Sequence, residues 1–209
     1  MNLIFDLDGT LIDSRPRLYH LFQQLVPSSK LTHDSYWALK REKVPNETIL
    51  AHEFGFDASE IARFLTEWME RIEAPEFLAY DKSFSGMHDT LDRLSKHAML
   101  HVCTARQYRQ PVIDQLDRFG LLLYFDSIMV TGQSKSKEQM IASVSGLGPQ
   151  DWIIGDTGKD IQVGQSIGIK TCAVLSGFLS ETSLRPYGPD LILPAASDFR
   201  LQATSGVIF

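Results

Sequence analysis

The sequence predicts an α/β protein: an open parallel sheet with an all-helical segment inserted after the first strand. Three observations predict it. Short apolar runs of strand length recur along the chain, bounded by glycine, proline or acid. Helical stripes separate most of them, as in sheets covered on both faces. One long stretch, roughly residues 15–80, carries helical stripes alone.

The first run, Leu3–Phe5, leads directly into Asp6 and Asp8. Beyond it, Leu18, Leu21, Phe22, Leu25 and Val26 fall at helical spacing. Residues 47–54 suggest a further helix. Asp57 with Glu60 three residues on forms an N-cap pair for the stripe Ile61, Leu65, Trp68 and Ile72. The alternating texture then begins. Leu91 and Leu94 mark a helix before the run Met99–Cys103. Val112, Ile113, Leu116 and Phe119 form a stripe that Gly120 stops. Ser127–Val130 is the third run, and Met140, Ile141 and Val144 form a stripe ending near Gly146. Trp152–Ile154, Thr171–Leu175 and Leu191–Leu193 complete the predicted strands. Residues 1–14 and 81–209 are thus expected to make the core, and residues 15–80 a helical cover over the acidic loop. The closing run LQATSGVIF ends in apolar residues that suit an edge strand or a partner contact.

Bulk properties exclude several functions. With 209 residues, 44% of them hydrophobic and 22% charged, the chain can bury a substantial core. A net charge of −6 argues against nucleic acid as a partner, because phosphate backbones want a basic face. No apolar run is long enough to span a bilayer, and the N-terminus lacks the pattern of a signal peptide. Cys103 and Cys172 sit in strand-like apolar runs and read as buried free thiols. A cytoplasmic protein is expected, as a monomer or a homodimer.

In open α/β sheets, sites form where strands end at their carboxyl edge. The predicted strands deliver Asp6, Asp8, Gly9 and Thr10, then Thr104, Ala105 and Arg106, then Lys135 and Lys137, then Asp156 and Asp160. Any one acid there could be a helix cap. Four together repel, by about 3 kcal/mol per pair at about 5 Å and an effective dielectric near 20. A divalent cation removes that repulsion. Oxygen donors without Cys or His favour Mg²⁺, which commonly accompanies phosphate. A carboxylate can attack phosphorus, and a second can move protons for the leaving oxygen and for water. Asp6 and Asp8 suit that division of labour, and Gly9 lets the backbone approach the phosphate.

The segments DLDGTLIDS (6–14), Thr104 at the end of a strand, a downstream lysine and GDTGKD (155–160) together resemble the haloacid dehalogenase superfamily. SGMHDTLDRL (85–94) and RFGLLLYFDSIMV (118–130) extend the likeness to nearly the whole chain. The subgroup most similar is that of phosphoglycolate phosphatases and β-phosphoglucomutases. The resemblance implies a Rossmann-like core with a helical C1-type cap, and Mg²⁺-dependent hydrolysis of a small phosphorylated metabolite. It implies Asp6 as nucleophile and metal ligand. Asp8 becomes the general acid/base, with its carbonyl on the metal, and Asp156 and Asp160 become metal ligands. Thr104 and the lysine would hold the phosphoryl group, with the amides near Gly9 and Ala105. Asp8 also separates the chain from dehalogenases proper, which lack it.

The sequence departs from the family pattern in places. Lys135 and Lys137 both lie near the lysine position, and Ile141 four residues on favours Lys137. Glu138 replaces a common proline, and Ala105 a common Asn or Ser. Arg106 reads either as a surface residue or as a partner for a substrate anion. Lys40, Arg41 and Lys43 cluster in an otherwise acidic chain, either as a solvated helix face or as a contact for an anionic substrate. The histidines show no metal spacing, and His101 reads as structural. A sugar-phosphate mutase is the alternative on this scaffold. A phospho-acceptor signalling domain is a weaker fit, since it would lack both the DLDGT motif and the helical insertion. A binding module that has lost catalysis would not keep all four carboxylates.

Overall fold

A computed structural model describes residues 1–201. The predicted contribution of the C-terminal run falls almost wholly on 202–209, outside the described residues. In chain order the elements are β1 (Asn2–Phe5), β2 (Ile12–Asp13), α1 (Arg15–Leu25), α2 (His33–Arg41), α3 (Asn46–Phe54), α4 (Ala58–Arg71), α5 (Pro75–Leu78) and β3 (Lys82–Ser83). Then come α6 (Met87–Ser95), β4 (Met99–Thr104), α7 (Arg109–Arg118), β5 (Ser127–Val130), α8 (Lys137–Ile141) and β6 (Trp152–Gly155). Last are α9 (Gly158–Ile167), β7 (Lys170–Val174), α10 (Glu181–Leu184) and β8 (Leu191–Leu193).

Six strands form one parallel sheet in the order β5-β4-β1-β6-β7-β8. Leu3 lies between Leu100 and Trp152, so β1 is central. From β1 the sheet grows outward through β4 to β5, then the chain crosses back and grows the other way from β6. The carboxyl end of β1 therefore faces the reversal of strand order, where such sheets form their binding crevice.

The all-apolar run of β1 follows from burial on both faces. Leu3 and Phe5 pack with Leu91, Leu100 and Ile154 on one face. Ile4 packs with Cys103, Ile153 and Val163 on the other. Cys172 belongs to the first cluster and Cys103 to the second, so the sheet separates the two free thiols. His101 is structural: its ring nitrogens meet Ser127 Oγ at 2.8 Å and Asn2 Oδ1 at 3.1 Å.

Helices α1 to α5 follow the first strand and build a separate apolar cluster around Phe22, Tyr36, Trp37, Leu50 and Phe64. Helix α4 opens on the expected capping box of Asp57 and Glu60. Helix α2 carries too sparse an apolar stripe to be legible, yet Tyr36 and Trp37 anchor it and Thr32 caps it. Nor does the sequence predict the two-stranded ribbon of β2 and β3, which pairs Ile12 with Ser83 where the chain leaves and re-enters the sheet layer. Two residues per strand leave no readable alternation. The helix expected to reach Gly146 stops at Ile141. There the Ser143 hydroxyl donates to the Met140 carbonyl at 2.6 Å and competes with helical bonding.

Candidate active site

Asp6 follows β1 directly, and its N–H donates to the Ile154 carbonyl at 2.8 Å. The chain then turns tightly, with the Leu7 carbonyl accepting from Leu11 at 2.9 Å and from Ile12 at 3.0 Å. Gly9 holds φ at +82° in this turn, and a Cβ on it would lie 2.3 Å from Asp156 Oδ2. Glycine is needed there twice over, for conformation and for space.

Asp156 and Asp160 come from the end of β6 and the first turn of α9. Asp156 sits in a slot made by glycines: a Cβ on Gly177 would be 2.0 Å from its Oδ2. That oxygen accepts the Phe178 N–H at 2.7 Å, while Oδ1 is buried without a partner. Asp160 caps α9, its Oδ2 accepting from the Thr157 hydroxyl at 2.7 Å. Its Oδ1 turns to Lys137, so the residue that caps the helix also lies in the acidic cluster. A Cβ on Gly155 would stand 2.3 Å from the Asp160 Cγ.

Carboxylate oxygens of Asp6, Asp156 and Asp160 lie within 4.8 Å of one another. Lys137 Nζ bridges two of them, at 2.7 Å from Asp6 and 2.6 Å from Asp160. Burial raises Asp6 to about 7, against the pull of Lys137. Burial also pushes Asp156 well above the usual carboxylate range, helped by the Asp6 and Asp160 charges. Three buried carboxylates, one with an orphaned oxygen, fit a hard divalent cation, because a single lysine cannot neutralise them.

The choice between the two lysines is geometric. Lys137 opens α8 behind the Ser136–Gln139 capping box and is buried, whereas Lys135 is exposed. Lys137→Met is expected to cut turnover by about 10²–10⁴-fold, with Lys135→Met within a few-fold of wild type, as measured by steady-state phosphate release.

Thr104 is buried at the end of β4, and its hydroxyl accepts the Arg106 N–H at 3.3 Å. Ala105 borders the same cleft. Arg106 is not a surface residue, though it borders the cleft. It is 5% exposed and grips Asp8 with two donors, Nε at 2.5 Å and Nη2 at 2.8 Å. Arg17, from α1, adds a third contact to Asp8 at 2.5 Å. Burial works to raise the Asp8 carboxyl, but the two guanidiniums outweigh it and hold Asp8 well below the usual range. Behind them Asp81 lies 3.3 Å from Arg17 and 3.4 Å from Arg106, and burial raises it to about 6. Gln115 donates to Asp81 at 2.7 Å, and Glu73 accepts the Gln107 N–H at 2.7 Å.

Sequence reasoning missed Arg17, Asp81, Gln115 and Glu73. Their one signal was a polar residue on an apolar helix face, Gln115 beside Leu116. Lys40 and Arg41, by contrast, do not border the cleft. Lys40 donates to Asn46 at 3.3 Å, and Arg41 Nη1 reaches the Leu175 carbonyl at 3.5 Å. The Arg41 carbonyl accepts from the Ser180 N–H and the Ser183 hydroxyl, and Lys43 lies over the Tyr187 ring. The basic stretch fastens the helical layer to the core, because α2 ends against the loop after β7.

The cleft holds about 320 Å³. Asp6, Asp8, Thr104 and Lys137 border it from the sheet, and Leu18, Trp68, Met69 and Ile72 from the helical layer. Phe178, which stacks on Trp37 at 5.4 Å, closes one side.

A sequence model of the haloacid dehalogenase-like hydrolases matches residues 3–174, which span the site from Asp6 to Asp160. The chain belongs to this family. Among this hydrolase's relatives is a protein named pyrophosphatase PpaX from Oceanobacillus iheyensis, 26% identical over 94% of this chain and 93% of the relative. A phosphoglycolate phosphatase from Synechococcus elongatus is 24% identical over 97% and 96%. In structure the hydrolase resembles a haloacid dehalogenase-like family protein from Streptococcus pneumoniae, with a TM-score of 0.75 at 24% identity over 93% and 94% of the chains. A second solved structure, a subfamily IA hydrolase from Geobacter sulfurreducens, gives a TM-score of 0.67 at 19% identity over 94% and 93%. Among the described residues no helix is long and apolar enough to cross a membrane.

Proposed function

We propose that this hydrolase is a Mg²⁺-dependent phosphatase that cleaves a small phosphorylated metabolite through an aspartyl-phosphate. The observation that carries the reading is the convergence of Asp6, Asp156, Asp160 and Lys137 at the carboxyl end of the central strand. The relatives named as phosphatases support a phosphoryl substrate.

Asp6, Asp156 and Asp160 would hold the ion with the Asp8 carbonyl, and the ion supplies charge neutralisation at the phosphoryl oxygens. The Asp6 carboxylate attacks phosphorus; a bond from Oδ to phosphorus forms as the bond to the leaving oxygen breaks, and Asp8 relays to that oxygen the proton that the bound phosphate monoester carries in. Lys137 and the Thr104 hydroxyl bind the phosphoryl oxygens. Water then attacks phosphorus, Asp8 takes its proton, and Asp6 leaves as a free carboxylate. Residues 15–80 serve as a cap over the core of residues 1–14 and 81–209, and their closure excludes bulk water.

The test is release of inorganic phosphate from a panel of phosphorylated metabolites, with Mg²⁺ and with chelator. Metal-dependent release supports the reading. Transfer between positions of one sugar without free phosphate would make the chain a mutase, and no reaction at all would defeat the proposal.

Protons and metal compete for the same oxygens. With Asp6 raised to about 7, the affinity for Mg²⁺ is expected to fall about tenfold from pH 8 to pH 6, since one proton of that pKa must leave. Calorimetric titration of the wild-type protein with Mg²⁺ at both pH values measures this.

A further inference from the structure

Two things must fit the cleft in the proposed hydrolysis: the phosphoryl group and the group attached to it. Lys137 and Thr104 take the first against the sheet. In-line displacement puts the second opposite Asp6, toward the helical layer. Its chemistry follows from what the walls have left to offer. The polar side chains bordering the cleft are already engaged within the chain. Arg17 and Arg106 hold Asp8, with Asp81 behind them. Glu73 accepts the Gln107 N–H at 2.7 Å and the Tyr108 N–H at 3.4 Å. The Gln107 side-chain amide donates to the Met69 carbonyl at 2.8 Å, and that of Gln133 to the Ala105 carbonyl at 2.8 Å. Thr157 donates to Asp160 at 2.7 Å, and Lys159 pairs with Glu138 at 3.2 Å. Each would give up a bond to make one with a substrate hydroxyl, so the exchange gains little.

Apolar surface is what remains. Leu18 on α1, Trp68 and Met69 on α4 and Ile72 just past it face the cleft, with Phe178 beside them. Met69 is 40% exposed. Two of these residues are rings, and each is backed by a second ring. Trp68 stacks on Phe64 with centroids 5.5 Å apart and planes 28° apart. Phe178 stacks on Trp37 at 5.4 Å and the same angle. Phe64 and Trp37 are themselves buried in the core of the helical layer. The wall is therefore held in place before anything binds, and little ordering cost is left to offset.

Resting on the phosphatase reading, we propose that the leaving group is an apolar ring, aromatic or alicyclic, and that Trp68, Met69 and Phe178 form its subsite. The ring gives up its water shell against side chains that lose nothing by covering it. A polyol ring of the same skeleton would bury hydroxyls beside groups that cannot partner them, and that costs free energy. The subsite thus selects by what it fails to solvate as much as by what it attracts.

The experiment reads binding apart from turnover. Asp6→Asn protein in Mg²⁺ is titrated calorimetrically with phenyl phosphate, cyclohexyl phosphate, myo-inositol 1-phosphate and methyl phosphate. The inositol ester is the cyclohexyl ester with hydroxyls on its ring, and the methyl ester reports the phosphoryl site alone. At least one apolar ring ester is expected to bind about 10–50-fold tighter than the inositol ester, with a more negative heat-capacity change, as burial of a ring's apolar surface gives. A preference for phenyl over cyclohexyl assigns the gain to stacking, and the reverse order to apolar burial alone. Equal or weaker binding of both ring esters overturns the proposal. Adding Trp68→Ala should bring the ratio to within about threefold of one. If it weakens methyl phosphate as much as the ring esters, Trp68 only holds the helical layer in place, and the proposal falls. Since Trp68→Ala also strips a ring from Phe64, Met69→Gln, a change of similar size at an exposed position, is the second variant and should lower the ratio by about threefold. A ratio unchanged in every variant that folds overturns the proposal. Phosphate release by the wild type is scored separately. Release from polyol esters but not from ring esters defeats this inference alone. No release from any ester, with no Mg²⁺-dependent binding, defeats the phosphatase reading and this inference with it.

Discussion

Replacing Asp6 with asparagine is expected to lower turnover by about 10⁴-fold or more and, in the absence of metal, to stabilise the fold. The loss follows from chemistry: an amide of the same shape cannot attack phosphorus. The gain follows from crowding. Asp6 is buried beside Asp160 and Asp8, and burial lifts its carboxyl to about 7 from 3.8. The native state thus holds a proton that the unfolded chain has already lost between about pH 4 and 7. Stability therefore falls as pH rises through that window, and stays lower above it. Asparagine removes this penalty, and its oxygen can still accept from Lys137, which also keeps Asp160. The variant should be more stable by about 1–4 kcal/mol at pH 8 in chelator, and the difference should close below about pH 4. Denaturant melts at several pH values read this directly. Near wild-type turnover would remove Asp6 as nucleophile, and no gain at pH 8 would mean that Lys137 already offsets the crowding.

The second large effect belongs to a residue with no functional group. A Cβ at Gly177 would stand 2.0 Å from Asp156 Oδ2 and 2.4 Å from its Cγ. Asp156 cannot easily yield, since it is fully buried and tied to the Phe178 N–H. The loop cannot easily yield either, since Phe178 is stacked on Trp37. Gly177→Ala is expected to weaken Mg²⁺ binding by about 10–100-fold, as displacing a support of a metal ligand does, and to cost about 1–3 kcal/mol in stability. Gly148→Ala is the control: a Cβ there meets nothing within 4 Å. Calorimetry with Mg²⁺ and thermal melts on both variants test the pair. Equal behaviour would show that Asp156 has room that the slot between Gly9 and Gly177 denies it.

Much of this molecule is written locally. Six apolar runs became the six sheet strands, because β-branched and apolar residues covered on both faces leave a continuous signal. Asp57 and Glu60 capped α4 as their spacing requires. Asp6, Asp156 and Asp160 lie together because each sits just past the end of a strand or in the helix turn that follows it, and a parallel sheet aligns those ends. The spacing of Ile141 favoured Lys137, which is the lysine found against Asp6.

Other features have no local signature. The β2–β3 ribbon joins residues some seventy positions apart, so neither strand could be read without the other. Lys40 and Arg41 looked like a binding patch because charge is visible in sequence, while the carbonyls that α2 meets on packing are not. Arg106 looked like a surface residue because its partners, Asp8 and Asp81, come from distant turns. The sequence by itself determined the sheet, its helical insertion and the acidic rim, since periodicity and motif spacing are properties of neighbours. Only the tertiary structure decided that two arginines close on Asp8, because the pairing of buried charges depends on which distant segments share a desolvated space.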